Sequence, residues 1–154
     1  MTAVVTRDEL LAMAGKDLGY SEWLDIDQDR IDAFAEVTND HNFIHVDPDA
    51  AAQTPFGSTI AHGFLTLSLV ISMFYEVAVY PENMVMGINY GMNKVRFLAP
   101  VKVGSRIRLQ ATLVGVSERS PGRFLQTHDL TVEIEGEAKP ALVGQFLTLT
   151  VAAP

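Results

Sequence analysis

The sequence predicts an α+β protein in which a long antiparallel sheet wraps around one buried central helix. Three observations lead there. Residues 50–75 contain no Asp, Glu, Lys or Arg, and the run from Ala61 to Val79 is apolar nearly all round, the mark of a helix with no solvent face. Beyond Met84, four segments rich in Val, Ile, Leu, Thr and Phe alternate with Gly, Pro and Ser, as strands and turns do. Ahead of both lies an acid-rich stretch with helical spacing. One helix followed by a run of strands is an α+β order rather than a βαβ one.

Taken in order, residues 7–14 read as a short helix capped by Thr6, with Glu9 completing a capping box and Gly15 ending it. Tyr20 to Ile26 alternates as a strand does. Asp27 opens an amphipathic helix with Ile31, Phe34, Ala35 and Thr38 on one face. Asp47-Pro48 is an N-cap followed by proline at the first helical position, so 48–53 is a short helix, broken by Pro55 and Gly57. Strands are expected near 85–98, 105–117, 123–136 and 141–151, with Pro100, Gly104 and Pro121-Gly122 marking turns. Five strands around a buried helix is the layout of a hot-dog fold, here expected as one domain over 1–154.

Composition narrows the function. There is no cysteine, which excludes disulfides and thiolate metal sites. No apolar leader run is visible at the start, and the uncharged stretch is interrupted by Gln53, Pro55, Gly57, His62 and Gly63, so neither a signal peptide nor a membrane span is expected. These features fit a cytoplasmic protein. The net charge of −8 is uneven: residues 1–50 hold twelve acids against three bases. From Asn83 to Ser117 the only charges are Lys94, Arg96, Lys102, Arg106 and Arg108. That pattern does not fit general nucleic-acid binding. It fits a phosphate-bearing small molecule held at one place, and equally a set of strand edges guarded by Lys and Arg.

Chemistry concentrates between Thr38 and Gly63, which holds three of the four histidines. Asp40 and His45 are five residues apart. On a helix they would sit roughly 140° apart, and on a strand about 17 Å apart on opposite faces. They meet only if the chain between them is irregular, and Asn39, Asn42 and Pro48 supply loop chemistry. Asp40, His41, His45 and Asp47 can also be drawn as a cluster of N and O metal ligands, although no metal is expected. Read singly, Asp40 is a loop or capping residue and His45 a structural histidine. His41 reads as a surface residue, and His128, inside a strand, receives no role.

Asp40-His41-Asn42-Phe43-Ile44-His45-Val46-Asp47-Pro48, then Phe56-Gly57 and Ile60-Ala61-His62-Gly63-Phe64-Leu65, resemble the signature of the MaoC-like (R)-specific enoyl-CoA hydratases, or hydratase 2. Phe97 to Gly104 resembles that family's Phe-x-x-Pro-Val-x-x-Gly segment, and the likeness covers roughly residues 20–152. The resemblance implies a hot-dog homodimer that hydrates trans-2-enoyl-CoA to (3R)-hydroxyacyl-CoA without a cofactor. It implies Asp40 and His45 as the catalytic pair and the Gly63 N–H as donor to the thioester oxygen. Asn42 and His62 are then positioning groups, and the five bases at 94–108 are candidates for the CoA phosphates. Phe43 stands where the family often has proline. Ile71 stands where some members carry a serine, with Ser68 and Ser72 nearby. Rival readings are a hot-dog acyl-CoA thioesterase, a (3R)-hydroxyacyl dehydratase of fatty-acid elongation, and a non-catalytic acyl-ligand or metal-binding module.

Overall fold

A computed structural model describes residues 3–153. Its centre is α5 (Gly63–Val77). Leu65, Val70, Met73, Phe74 and Val77 of α5 are buried, and they belong to one core with Ile107, Leu109, Leu130, Val132, Leu142 and Phe146 from the sheet. Around the helix lie β5 (Met84–Phe97), β6 (Ser105–Ser120), β7 (Arg123–Ile134) and β8 (Leu142–Ala152), all paired antiparallel with their neighbours. On β7 every second residue from Phe124 to Ile134 is buried, the period of a sheet with one face on a core. This is the expected hot-dog layout.

With β2 (Lys16–Tyr20) and β3 (Leu24–Ile26), the sheet order is β2-β6-β7-β8-β5, with β3 also pairing to β6. Here the structure corrects the sequence reading. The single strand expected over Tyr20 to Ile26 is two strands, β2 and β3, docked in succession along β6. Lys16 and Asp17 are exposed, so β2 carries no alternating apolar signal. Between the strands, Ser21 is buried and its Oγ accepts from the Leu109 N–H at 2.9 Å. A further pair, β1 (Ala3–Val5) with β4 (Val79–Pro81), is parallel and too short to be read from periodicity.

The helical expectations hold with trimmed ends. α1 (Arg7–Ala12) has the complete Thr6–Glu9 capping box. α2 (Gln28–Thr38) starts at Asp27, whose side chain accepts from the Arg30 N–H. α4 (Pro48–Ala52) starts at Asp47, whose side chain accepts from the Ala50 N–H. Among the described residues no helix is long and apolar enough to cross a membrane.

α5 is not covered all round. Phe64 and Tyr75 are exposed, as are Ser68 and Ser72 between them, and these positions share one stripe of the helix. β5 ends the sheet order, and Val85, Met86, Ile88, Tyr90 and Phe97 on it are exposed. The helix thus has a buried apolar side and an exposed stripe in which Phe64 and Tyr75 flank two serines.

Candidate active site

α2 ends at Asn39, whose φ of 57° is left-handed, a conformation asparagine tolerates better than most residues. The reversal releases Asp40 from the helix. Asn42 then caps a single turn, α3 (Phe43–Val46), its Oδ1 accepting from the Ile44 N–H at 3.3 Å. The connection is thus half irregular and half helical, not the continuous loop expected. It still brings Asp40 to His45: ligand-capable atoms of Asp40, His45 and His62 all lie within 4.8 Å of one another. His41 points elsewhere, exposed and 3.7 Å from Glu36, and the Asp47 carboxylate is engaged as the α4 cap. The cluster that forms is therefore not Asp40, His41, His45 and Asp47. His62 takes the place of two of them.

His45 is buried, and its Nδ1 lies 2.7 Å from the Ile60 carbonyl oxygen. A carbonyl only accepts, so the proton is on Nδ1 and the lone pair on Nε2. Burial pushes the His45 pKa below its ordinary value and nearby His62 adds to this, whereas the Ile60 bond and the Asp40 charge oppose it. The neutral imidazole is favoured. His62 stacks on His45 with ring centroids 3.8 Å apart, and its Nε2 lies 2.9 Å from the Asp40 carbonyl oxygen. By the same logic His62 Nε2 carries the proton. Its Nδ1 is buried with no partner among the described residues, an acceptor facing inward.

His62 is also the N-cap position of α5, but its side chain makes no capping bond. The first-turn N–H groups, beginning at Gly63, have no partner within a helix and are left at its positive end. A Cβ placed on Gly63 would lie 3.1 to 3.2 Å from three ring atoms of Phe97, so a larger residue there would press on the Phe97 ring. Gly63 and His45 open on one cleft of about 330 Å³, lined also by Ile60, Thr66, Phe97 and the segment Leu98 to Val101. Thr66 is buried in that wall and was missed in the sequence, although its spacing from Gly63 places it on the same face one turn on. Ser68 and Ser72, the stand-ins considered for the serine absent at Ile71, donate to the helix carbonyls of Phe64 and Leu69 instead.

The acid-free basic stretch is not acid-free in space. Arg106 is bonded to Glu135, and Arg108 donates from Nε to Glu133 at 2.8 Å, because β7 brings acids across from β6. Arg108 also lies over the rings of Tyr20 and Trp23, at 4.1 and 4.5 Å. Lys94 sits at an irregularity of β5 with φ 55°, and Arg96 donates to the Val95 carbonyl oxygen. Lys102 follows directly on the cleft-lining Val101 and bridges to Ile60.

The model of the MaoC like domain matches residues 10–134. The chain belongs to the MaoC-like domain family. Within it, 3-hydroxyacyl-thioester dehydratase Z of Mycobacterium tuberculosis is 47% identical over 144 residues, 94% of this chain and 95% of that protein. Nodulation protein N of Rhizobium leguminosarum is 48% identical over 136 residues, 88% of this chain and 84% of that one. Among solved structures, the (R)-hydratase of A. caviae involved in PHA biosynthesis superimposes with a TM-score of 0.71, covering 88% of this chain and 94% of that one at 24% identity. The monoamine oxidase regulatory protein of Archaeoglobus gives 0.77 over 100% and 98% at 23% identity. These MaoC-like neighbours share the hot-dog fold.

Proposed function

We propose that this protein is a hydro-lyase that adds water to trans-2-enoyl thioesters and removes it from (3R)-hydroxyacyl thioesters. One observation carries the reading. A histidine fixed with its lone pair on Nε2 and an uncapped helix start line one cleft, and a carboxylate lies within 4.8 Å of that histidine. Asp40 and His45 hold a water between them. Nε2 of His45 takes a proton from the water as its oxygen bonds to the β-carbon, and the Asp40–His45 pair then returns that proton to the α-carbon. Charge gathering on the thioester oxygen meets the Gly63 N–H, a contribution on the order of 3–4 kcal/mol. His62 and Asn42 hold the histidine and the turn in place. The name of the 47%-identical relative, a 3-hydroxyacyl-thioester dehydratase, favours dehydration as the working direction, with the same groups in reverse order. Lys102, with Arg96 and Lys94 before Phe97, is open to the phosphates of a CoA carrier. Arg106 and Arg108 already hold carboxylates.

The test is purified protein with a ladder of trans-2-enoyl-CoA lengths, followed by chiral analysis of the 3-hydroxy product. Release of free thiol without a hydroxyacyl product would instead identify a thioesterase. The acid side of the pH profile checks the base. Since His45 acts unprotonated and its pKa is depressed, kcat/KM should fall only below the ordinary histidine value of about 6.5. In His62→Asn the neighbouring imidazole is gone, and the acid limb should move to higher pH. A limb unmoved by that change would remove His62 from the electrostatics of the site.

The functional unit proposed is a homodimer. A second copy related by a two-fold axis would pair with the free edge of β5 and cover the exposed stripe of α5, and C2 pairing is the commonest closed solution. Sedimentation at micromolar concentration should give twice the chain mass. A monomer there would leave the exposed Val85, Met86, Ile88 and Tyr90 unexplained.

A further inference from the structure

Gln28, in the first turn of α2, carries no reacting group and lies outside the cleft lining. Its carboxamide nevertheless makes three hydrogen bonds. Nε2 donates to the His45 backbone carbonyl at 2.8 Å and to Asp32 Oδ1 at 2.7 Å. Oε1 accepts from the hydroxyl of Thr59 at 2.6 Å. This set admits one orientation only, because turning the amide over would set its oxygen against a carbonyl and a carboxylate. Thr59 is fully buried, so losing this acceptor would strand its hydroxyl.

What the amide joins matters more than the number of bonds. On one side is the peptide of His45. On the other is the residue before Ile60, whose carbonyl takes the Nδ1 proton of His45. The two strands of chain touch once more through the Ile60 N–H and the Ile44 carbonyl, at 3.0 Å. The Thr59 carbonyl also accepts from the Val103 N–H, extending the tie to the segment that walls the cleft. Gln28 therefore ties the backbone of His45 to the residue next to the one that receives its Nδ1–H bond.

We infer that Gln28, with Thr59, is a positioning residue for His45, holding the proton on Nδ1 and the Nε2 lone pair toward the cleft. This rests on the hydro-lyase reading for its kinetic consequence, but not for its structural one. Without the bridge, His45 gains access to its other tautomer, in which Nε2 is protonated and cannot act as the base. Loosening the Ile60 bond also removes an influence that raises the His45 pKa.

The experiment compares wild type with Gln28→Leu, Thr59→Val and Thr59→Ser, each first checked for folding by thermal unfolding. In ¹⁵N-labelled protein at neutral pH, the His45 nitrogens should report the Nδ1–H tautomer in wild type and Thr59→Ser, and a mixture in Gln28→Leu. That readout needs no turnover, so it stands even if the protein proves not to be a hydratase. With trans-2-enoyl-CoA, kcat of Gln28→Leu should fall about tenfold with KM within about twofold, as for a modest displacement of a reacting group. Its acid limb should shift to lower pH. Thr59→Val should lose part of the rate and Thr59→Ser should retain it. A pure Nδ1–H tautomer in folded Gln28→Leu would overturn the inference. So would a loss of rate shared equally by Thr59→Ser, or one that appears in KM alone.

Discussion

Asp40→Asn and His45→Gln should each lower kcat for hydration of a short trans-2-enoyl-CoA by about two orders of magnitude or more. The asparagine keeps the shape and hydrogen-bonding reach of Asp40 and removes its charge. The glutamine keeps a polar side chain at 45 but cannot take up and return a proton near neutral pH. KM should change less than kcat, because in the proposed mechanism both groups act on the water rather than on the acyl chain. If the pair shares one water as proposed, the double variant should be little worse than the worse single one. His41→Gln is the control: His41 is exposed, beside Glu36 and outside the cluster, and its rate should stay near wild type. The three ligand-capable groups could also ring a cation, and the same assay with a chelator tests that reading. Rates that survive chelation while collapsing in Asp40→Asn belong to proton transfer. Near wild-type activity in Asp40→Asn would sink the assignment.

Stability should fall in acid because of His128, which has no part in the chemistry. It is buried against Phe74, with Nδ1 donating to the Phe146 carbonyl at 3.4 Å and Nε2 without a partner among the described residues. Burial pushes its pKa down to about 4, only partly opposed by the Phe146 bond. The unfolded chain takes up this proton near pH 6.5 and the native one near 4. Between those values the unfolded state binds more protons, so stability declines as pH falls. The full difference is about 3 kcal/mol, complete below pH 4 and absent above about 6.5. Urea unfolding at pH 7 and pH 4.5 measures it. In His128→Gln the absolute stability at pH 7 will differ, but the change between the two pH values should shrink by most of that amount. An unchanged difference would place the acid sensitivity elsewhere.

Much of the fold was legible because its signals are local. The Thr6–Glu9 box, Asp27, Asp47-Pro48 and the apolar helix each announce themselves within a few residues, and all are found where expected. β2 was hidden because an edge strand needs no apolar face. The residues of the candidate site could be named from the sequence, but not their partnerships. Asp40, His45 and Gly63 could be named from spacing and resemblance, but the Ile60 carbonyl that sets the tautomer is fifteen residues from His45. The Gln28 amide that joins His45 to Thr59 is seventeen and thirty-one residues from its partners. Likewise, charge counted along the chain put Arg106 and Arg108 in an acid-free zone that strand pairing then filled with Glu133 and Glu135.

The left-handed turn at Asn39 places a limit on how this sequence can drift. An exposed residue with no reacting atom normally accepts almost any replacement. Here one backbone angle, φ 57°, decides whether Asp40 leaves α2 toward His45 or continues around the helix. Glycine would keep that angle freely, and aspartate at small cost. Valine, isoleucine or threonine would oppose it, leaving helix and sheet folded while swinging the carboxylate away from His45. Position 39 is thus governed by a short alphabet for reasons of geometry alone, and a tolerance map of this protein would mark as intolerant a side chain that touches no substrate.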